Sequence, residues 1–109
     1  MARPAKITID LSALKYNFAQ VKLHAPDSRV IAMVKSNGYG HGITRIAQAL
    51  KDADALGVAC IEEGMILRDA KIKNPIVLME GLFDTSELDL AVKNHFTLVI
   101  HHSSQVEIL

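Results

Sequence analysis

Short apolar runs alternate along this chain with longer segments in which apolar residues recur every three or four positions. Lys6–Ile9 predicts a short strand. Asp10 or Ser12 then offers an N-cap for a helix to about His24, with Leu11, Leu14, Phe18, Val21 and Ala25 on its apolar stripe. The turn formers Ala25-Pro26-Asp27-Ser28 break the pattern. Arg29–Val34 predicts a strand whose unbroken apolar run implies burial on both faces. Lys35-Ser36-Asn37-Gly38-Tyr39-Gly40-His41-Gly42 reads as a loop with three glycines, and Ile43, Ile46, Ala47 and Leu50 then define a helix to about Asp52.

The alternation continues downstream. Ala55–Cys60 predicts a second buried strand, and Glu62 to about Lys71 a helix carrying Met65, Ile66 and Leu67. Ile76–Met79 follows as a third strand, with Thr85 or Ser86 capping a helix to about Lys93. Phe96–Ile100 predicts a fourth strand, and Ser103 an N-cap for a last helix. This rhythm implies βα units on a parallel sheet, either doubly wound and open or part of a closed (β/α)₈ barrel. A complete barrel takes about 250 residues. Four units in 109 residues therefore read as roughly half a barrel, and the chain as one domain lacking the rest.

Composition narrows the partners. Twelve basic and 12 acidic side chains cancel, so no cationic surplus exists to hold a nucleic-acid backbone. Aromatic residues are only 5% of the chain and none is Trp, which argues against a base-stacking surface. No apolar run approaches the ~20 residues needed to span a bilayer, and Met1–Lys6 lacks the apolar core of a secretion signal, so the expectation is a cytoplasmic, soluble protein. Cys60 is the only cysteine and reads as a small buried hydrophobe.

Chemistry concentrates after the first buried strand. Catalytic groups of α/β folds gather at the C-terminal ends of strands, where Lys35 stands. A lysine there is partly desolvated, and a free amine is what Schiff-base formation with an aldehyde requires. Gly38, Gly40 and Gly42 would let the backbone expose N–H groups to a phosphate, with Tyr39 adding a phenolic hydrogen bond. The glycines match neither the dinucleotide fingerprint nor the P-loop, so by position alone a plain turn with a solvated lysine is an equal reading. His41 reads as a support or helix-start residue. His101-His102 lie at the correct end of the fourth strand but lack further ligands at metal spacing, so no metal site is expected. Glu62, Glu63 and Arg68 read as helix-start charge with a solvated partner.

The run Lys35-Ser36-Asn37-Gly38-Tyr39-Gly40-His41-Gly42 resembles the signature of the alanine racemase family, Lys-x-Asn-x-Tyr-Gly-His-Gly after the first barrel strand. Ile9-Asp10-Leu11 with Ala13-Leu14 and Asn17 resembles the family's opening. Glu62-Glu63-Gly64 with Leu67-Arg68 resembles its second βα unit, and Pro75–Gly81 its third. The resemblance implies an isomerase: the N-terminal part of a (β/α)₈ barrel that binds pyridoxal 5'-phosphate (PLP) and interconverts L- and D-alanine for cell-wall peptidoglycan. It implies that Lys35 carries PLP as a Schiff base and acts as a base on one face of the α-carbon. Tyr39 would hydrogen-bond the phosphate, and Met33, Val77 and Met79 would face the barrel interior. It further implies a homodimer whose second base, a tyrosine, comes from the partner's C-terminal β-domain. The arginines for the substrate carboxylate and the pyridine nitrogen lie downstream in the family, so these 109 residues alone would be inactive. Three other readings stay open: a PLP carrier barrel, which the Asn-x-Tyr-Gly-His-Gly tail argues against, a broad-specificity amino-acid racemase, and a non-enzymatic βα scaffold.

Overall fold

A computed structural model describes residues 4–109. The part of the leader reading that rests on residues 1–3 lies outside them. Helix α1 (Leu11–His24) is followed by β1 (Ile31–Met33), α2 (Ile43–Ala49), β2 (Ala55–Val58) and α3 (Ile61–Asp69). Then come β3 (Ile76–Leu78), a 3₁₀ turn (Thr85–Glu87) leading into α4 (Leu88–Lys93), β4 (Phe96–Leu98) and α5 (Ser103–Ile108). No helix among the described residues is long and apolar enough to cross a membrane.

The four strands are parallel and lie in the order β1-β2-β3-β4. A doubly wound sheet would reverse direction at a switch point. Sequential order instead means that every right-handed crossover steps the same way, which stacks the helices on one face as in a barrel wall. Register separates the two faces. Leu56 pairs with Ile76 and Val58 with Leu78, and all four are fully buried on the helix side together with Leu67 of α3. Each such side chain contributes about 1.5–3 kcal/mol by leaving water, so this layer is the core.

The opposite face follows the row Met33–Gly57–Val77–Thr97. Met33 and Val77 therefore share it, as the resemblance implied. The Met33 thioether occupies the space that a Cβ on Gly57 would need. Ile31 on the same face is 50% exposed, which corrects the expectation that Arg29–Val34 is buried on both sides. Only the helix side of β1 is covered within these residues.

Other expectations need correction. Residues 6–9 form no strand, and Ile7 is 89% exposed. An apolar-polar alternation makes a strand only where a neighbour pairs with it, and the sheet begins at β1. Asp10 is the N-cap of α1, its Oδ1 accepting from the N–H groups of Ser12 at 3.0 Å and Ala13 at 3.1 Å. Val21, placed on the apolar stripe, is half exposed. Helix α2 stops at Ala49 rather than Asp52, and α3 at Asp69 because Lys71 turns left-handed with φ 65°. Asp84, not Thr85 or Ser86, caps the turn before α4, and His102, not Ser103, caps α5. In both cases the capping side chain lies one or two positions earlier than the hydroxyls suggested.

Candidate functional site

The carboxyl edge of the sheet carries the signature. The Val34 N–H still donates to Gly57 O at 2.8 Å, so Lys35 stands immediately beyond the last bond joining β1 to β2. Its side chain is half-buried. From there the backbone turns left-handed. Ser36 (φ 53°, ψ 50°), Asn37 (φ 56°, ψ 43°) and Gly38 (φ 63°, ψ 39°) are followed by Tyr39 (φ 56°) and Gly40 (φ 85°). Gly38 N–H donates to Val34 O at 2.8 Å and Gly40 N–H to Ser36 O at 3.0 Å, closing a turn of opposite hand to an ordinary helix.

A left-handed helical conformation costs roughly 1–2 kcal/mol per L-residue. Ser36, Asn37 and Tyr39 are three such residues, so the strain is on the order of 3–6 kcal/mol, less what Asn tolerates. Strain of this kind persists only where surroundings over-determine it. The signature residues supply that. Asn37 Oδ1 accepts the Ile43 N–H at 2.9 Å, satisfying the start of α2, whose cap position Gly42 has no side chain to do so. Asn37 O accepts the Gly42 N–H at 2.9 Å. His41 Nδ1 lies 3.0 Å from Gly38 O and 3.1 Å from Tyr39 O. Carbonyl oxygens only accept, so Nδ1 bears the proton and donates to both. His41 is thus a support of the turn, in line with the expectation for it.

The hydrogen bonds correct the phosphate reading of the glycines. The N–H groups of Gly38, Gly40 and Gly42 donate to Val34, Ser36 and Asn37 inside the turn and are not presented to a ligand. Gly38 is present for its φ and for space, because a Cβ there would stand 3.3 Å from Ile46 Cγ1. Tyr39, 56% exposed, is a polar side chain that the turn leaves outward. The residues present fit PLP in one respect and not in another. They offer an amine at the strand end and a phenol beside it, but no cradle of glycine amides.

A residue that the sequence suggested only as helix-start charge also belongs here. Glu63, half-buried in the first turn of α3, accepts the Ala59 N–H on Oε1 at 2.9 Å. Its Oε2 accepts the Asn37 N–H at 3.4 Å. It is more than helix-start charge, and the signal was its position three residues after the N-cap Cys60, where a carboxylate reaches back to the backbone. Glu62 stays exposed, as expected. Cys60 is half-buried, and burial pushes its thiol upward, with the Glu62 and Glu63 carboxylates adding to the rise while a backbone hydrogen bond opposes it.

The remaining candidates have structural partners. Arg68 is not a solvated partner of the glutamates. Its Nε donates to Asn94 O at 3.0 Å, and its Nη1 to Ile72 O and Asn74 O at 2.8 Å each. Its guanidinium also lies 5.6 Å from the centre of the Phe96 ring, at the opposite, amino edge of the sheet. Desolvation lowers its pKa from the ordinary arginine value. His101 Nε2 donates to Met79 O at 2.6 Å. His102 Nδ1 accepts the Ser104 N–H at 3.1 Å, so the adjacent histidines face separate partners.

Comparison with known proteins bears on this geometry. The family model described as "Alanine racemase, N-terminal domain" matches residues 9–109. The chain is 50% identical over 105 residues to the alanine racemase of Coxiella burnetii, covering 96% of this chain and 29% of that protein. It is 44% identical over 108 residues to that of Legionella pneumophila, covering 98% of this chain and 30% of the relative. The solved alanine racemase from Acinetobacter baumannii superposes with a TM-score of 0.90 at 44% identity, over 93% of this chain and 28% of that one. The chain thus spans less than a third of the length of these relatives, and its four-strand parallel sheet corresponds to the N-terminal part of their fold. With the family model covering nearly all of it, this chain belongs to the alanine racemase N-terminal domain family.

Proposed function

We propose that the protein containing this segment interconverts L- and D-alanine with PLP, and that Lys35 is the residue that holds the cofactor and moves a proton at the substrate α-carbon. The observation that carries the reading is the placement of Lys35. It stands half-buried at the carboxyl edge of β1, one residue before a strained turn whose hydrogen bonds fix its geometry. When bound, PLP supplies an electron sink that stabilises the charge left on the α-carbon after deprotonation.

The side chains divide the remaining work. Lys35 would provide the primary amine that holds the cofactor and a base on one face of the substrate α-carbon. Tyr39 would hold the cofactor phosphate through its phenolic O–H, a task left to the side chain because the turn's glycine amides bond internally. Racemisation requires a proton acceptor and donor on opposite faces of a planar carbon, hence two groups. The chain's tyrosines sit on α1 (Tyr16) and in the turn (Tyr39), so the second group comes from elsewhere in the protein. By the resemblance it is a tyrosine of the partner subunit in a cytoplasmic homodimer that supplies D-alanine for peptidoglycan.

The test is D-alanine formation from L-alanine by the complete polypeptide carrying this segment, compared with Lys35→Ala. The reading expects PLP-dependent turnover in both directions and loss of at least about 10³-fold in Lys35→Ala, in keeping with removal of a nucleophile and base. Turnover retained in Lys35→Ala, or none in the wild type with PLP present, would overturn it.

A further inference from the structure

The turn after β1 and the loop after β2 meet through one side chain. Glu63 Oε1 takes the Ala59 N–H at 2.9 Å, and Oε2 takes the Asn37 N–H at 3.4 Å. Asn37 carries the connection onward: its backbone oxygen takes the Gly42 N–H and its side chain the Ile43 N–H, each at 2.9 Å. A single carboxylate thus links the end of β2, the left-handed turn two residues past Lys35, and the start of α2. We infer that Glu63 is a positioning residue for Lys35, clamping the left-handed turn against the second βα loop so that the amine is held in one place.

The chemistry of the clamp requires a carboxylate. Both groups that Glu63 faces are N–H donors, and an ionised carboxylate accepts at both oxygens. A glutamine of the same shape accepts at one position and turns an NH₂ donor toward the other N–H, so one link is lost with little change in volume. Aspartate, one methylene shorter, cannot span the two backbones. The 3.4 Å contact is the longer of the pair, and therefore the link expected to yield first. Glu62 supplies the control. It lies in the same first turn of α3 and contributes the same helix-start charge, but is exposed. A role confined to the helix dipole would make the two glutamates equivalent.

The inference rests on Lys35 being the cofactor lysine, and the experiment separates the two. Hydrogen exchange by mass spectrometry on the cofactor-free complete polypeptide reads the clamp directly. Borohydride trapping of PLP on Lys35, with kcat and KM for alanine, reads its consequence. Glu63→Gln is expected to speed exchange across residues 36–43 by tenfold or more. It is also expected to lower kcat and the Lys35-trapped fraction about tenfold, with KM for alanine within twofold. Glu63→Asp should behave alike, and Glu62→Gln like the wild type. Unchanged exchange in both Glu63 variants, or the same effect from Glu62→Gln, would overturn the clamp. Faster exchange with trapping and kcat unchanged would overturn the positioning role. No Lys35 adduct in the wild type would overturn the cofactor reading and the positioning role with it, while the exchange result still decides whether the clamp exists.

Discussion

Replacing Ser36 by glycine should stabilise this protein, the reverse of what glycine does at most positions. Ser36 is exposed and sits at φ 53°, ψ 50°. A Cβ in that region approaches the following carbonyl oxygen and costs roughly 1–2 kcal/mol. Glycine removes that cost but adds roughly 0.5–1 kcal/mol through the greater freedom of the unfolded chain. The difference favours Ser36→Gly by about 0–1.5 kcal/mol, with its centre at about 0.75. Ser36→Val should move the other way by at least about 1 kcal/mol, because a β-branched side chain makes a positive φ worse. The assay is urea denaturation of the complete polypeptide, with both variants scored by midpoint at constant slope. Destabilisation by Ser36→Gly of about 1 kcal/mol or more, the ordinary penalty of glycine, would show that the backbone there is not left-handed and would remove the physical basis given for the turn.

The remaining predictions concern the supports of the fold. Asn37→Ala removes the acceptor for the Ile43 N–H at 2.9 Å and places alanine at φ 56°, so stability in the same denaturation assay should fall by about 2 kcal/mol, a lost cap plus backbone strain. Arg68→Ala leaves three carbonyl oxygens without their donor and uncovers the Phe96 ring, costing about 2–3 kcal/mol in the same assay; Arg68→Lys should recover less than half, since an ammonium cannot reproduce the fork. The Ser12 hydroxyl and the Ser12 and Ala13 amides hold the Asp10 carboxyl below the ordinary carboxylate value. Its contribution is therefore full above that ordinary value and is lost as pH falls through the lower folded value. Asp10→Asn should accordingly lower stability in the neutral region and flatten the acid limb of a stability-versus-pH curve, so that the variant and the wild type converge as pH falls.

Much of the architecture is readable in the chain because burial follows local pattern. Ala55–Val58 and Ile76–Leu78 are apolar throughout and became the buried strands, and α1 ends at His24 where the periodicity ends. The place of Lys35 at the carboxyl edge of β1 was legible because it directly follows an apolar strand, whereas its proposed role came from the resemblance of the run Lys35–Gly42. Three features were not legible, each for a different reason. Lys6–Ile9 has a strand's composition but no neighbour to pair with, and pairing is not a local property. The turn at Ser36–Gly40 reads as glycine-rich loop because handedness depends on hydrogen bonds closed by Asn37 and His41, not on residue preference alone. Glu63 and Arg68 lie on one amphipathic helix, α3, where charge is ordinarily solvated. Their partners Asn37 and Asn94 are each 26 residues away and are brought near only by the crossovers.

The central claim is that Lys35 is the lysine that holds PLP. Borohydride reduction of the complete polypeptide after incubation with PLP, followed by peptide mass mapping, tests it most directly. The account predicts a pyridoxyl adduct on the peptide containing Lys35, with no labelling above background at the other lysines and none at this site in Lys35→Ala. Labelling scattered over surface lysines, or a single adduct elsewhere in the chain, would contradict it.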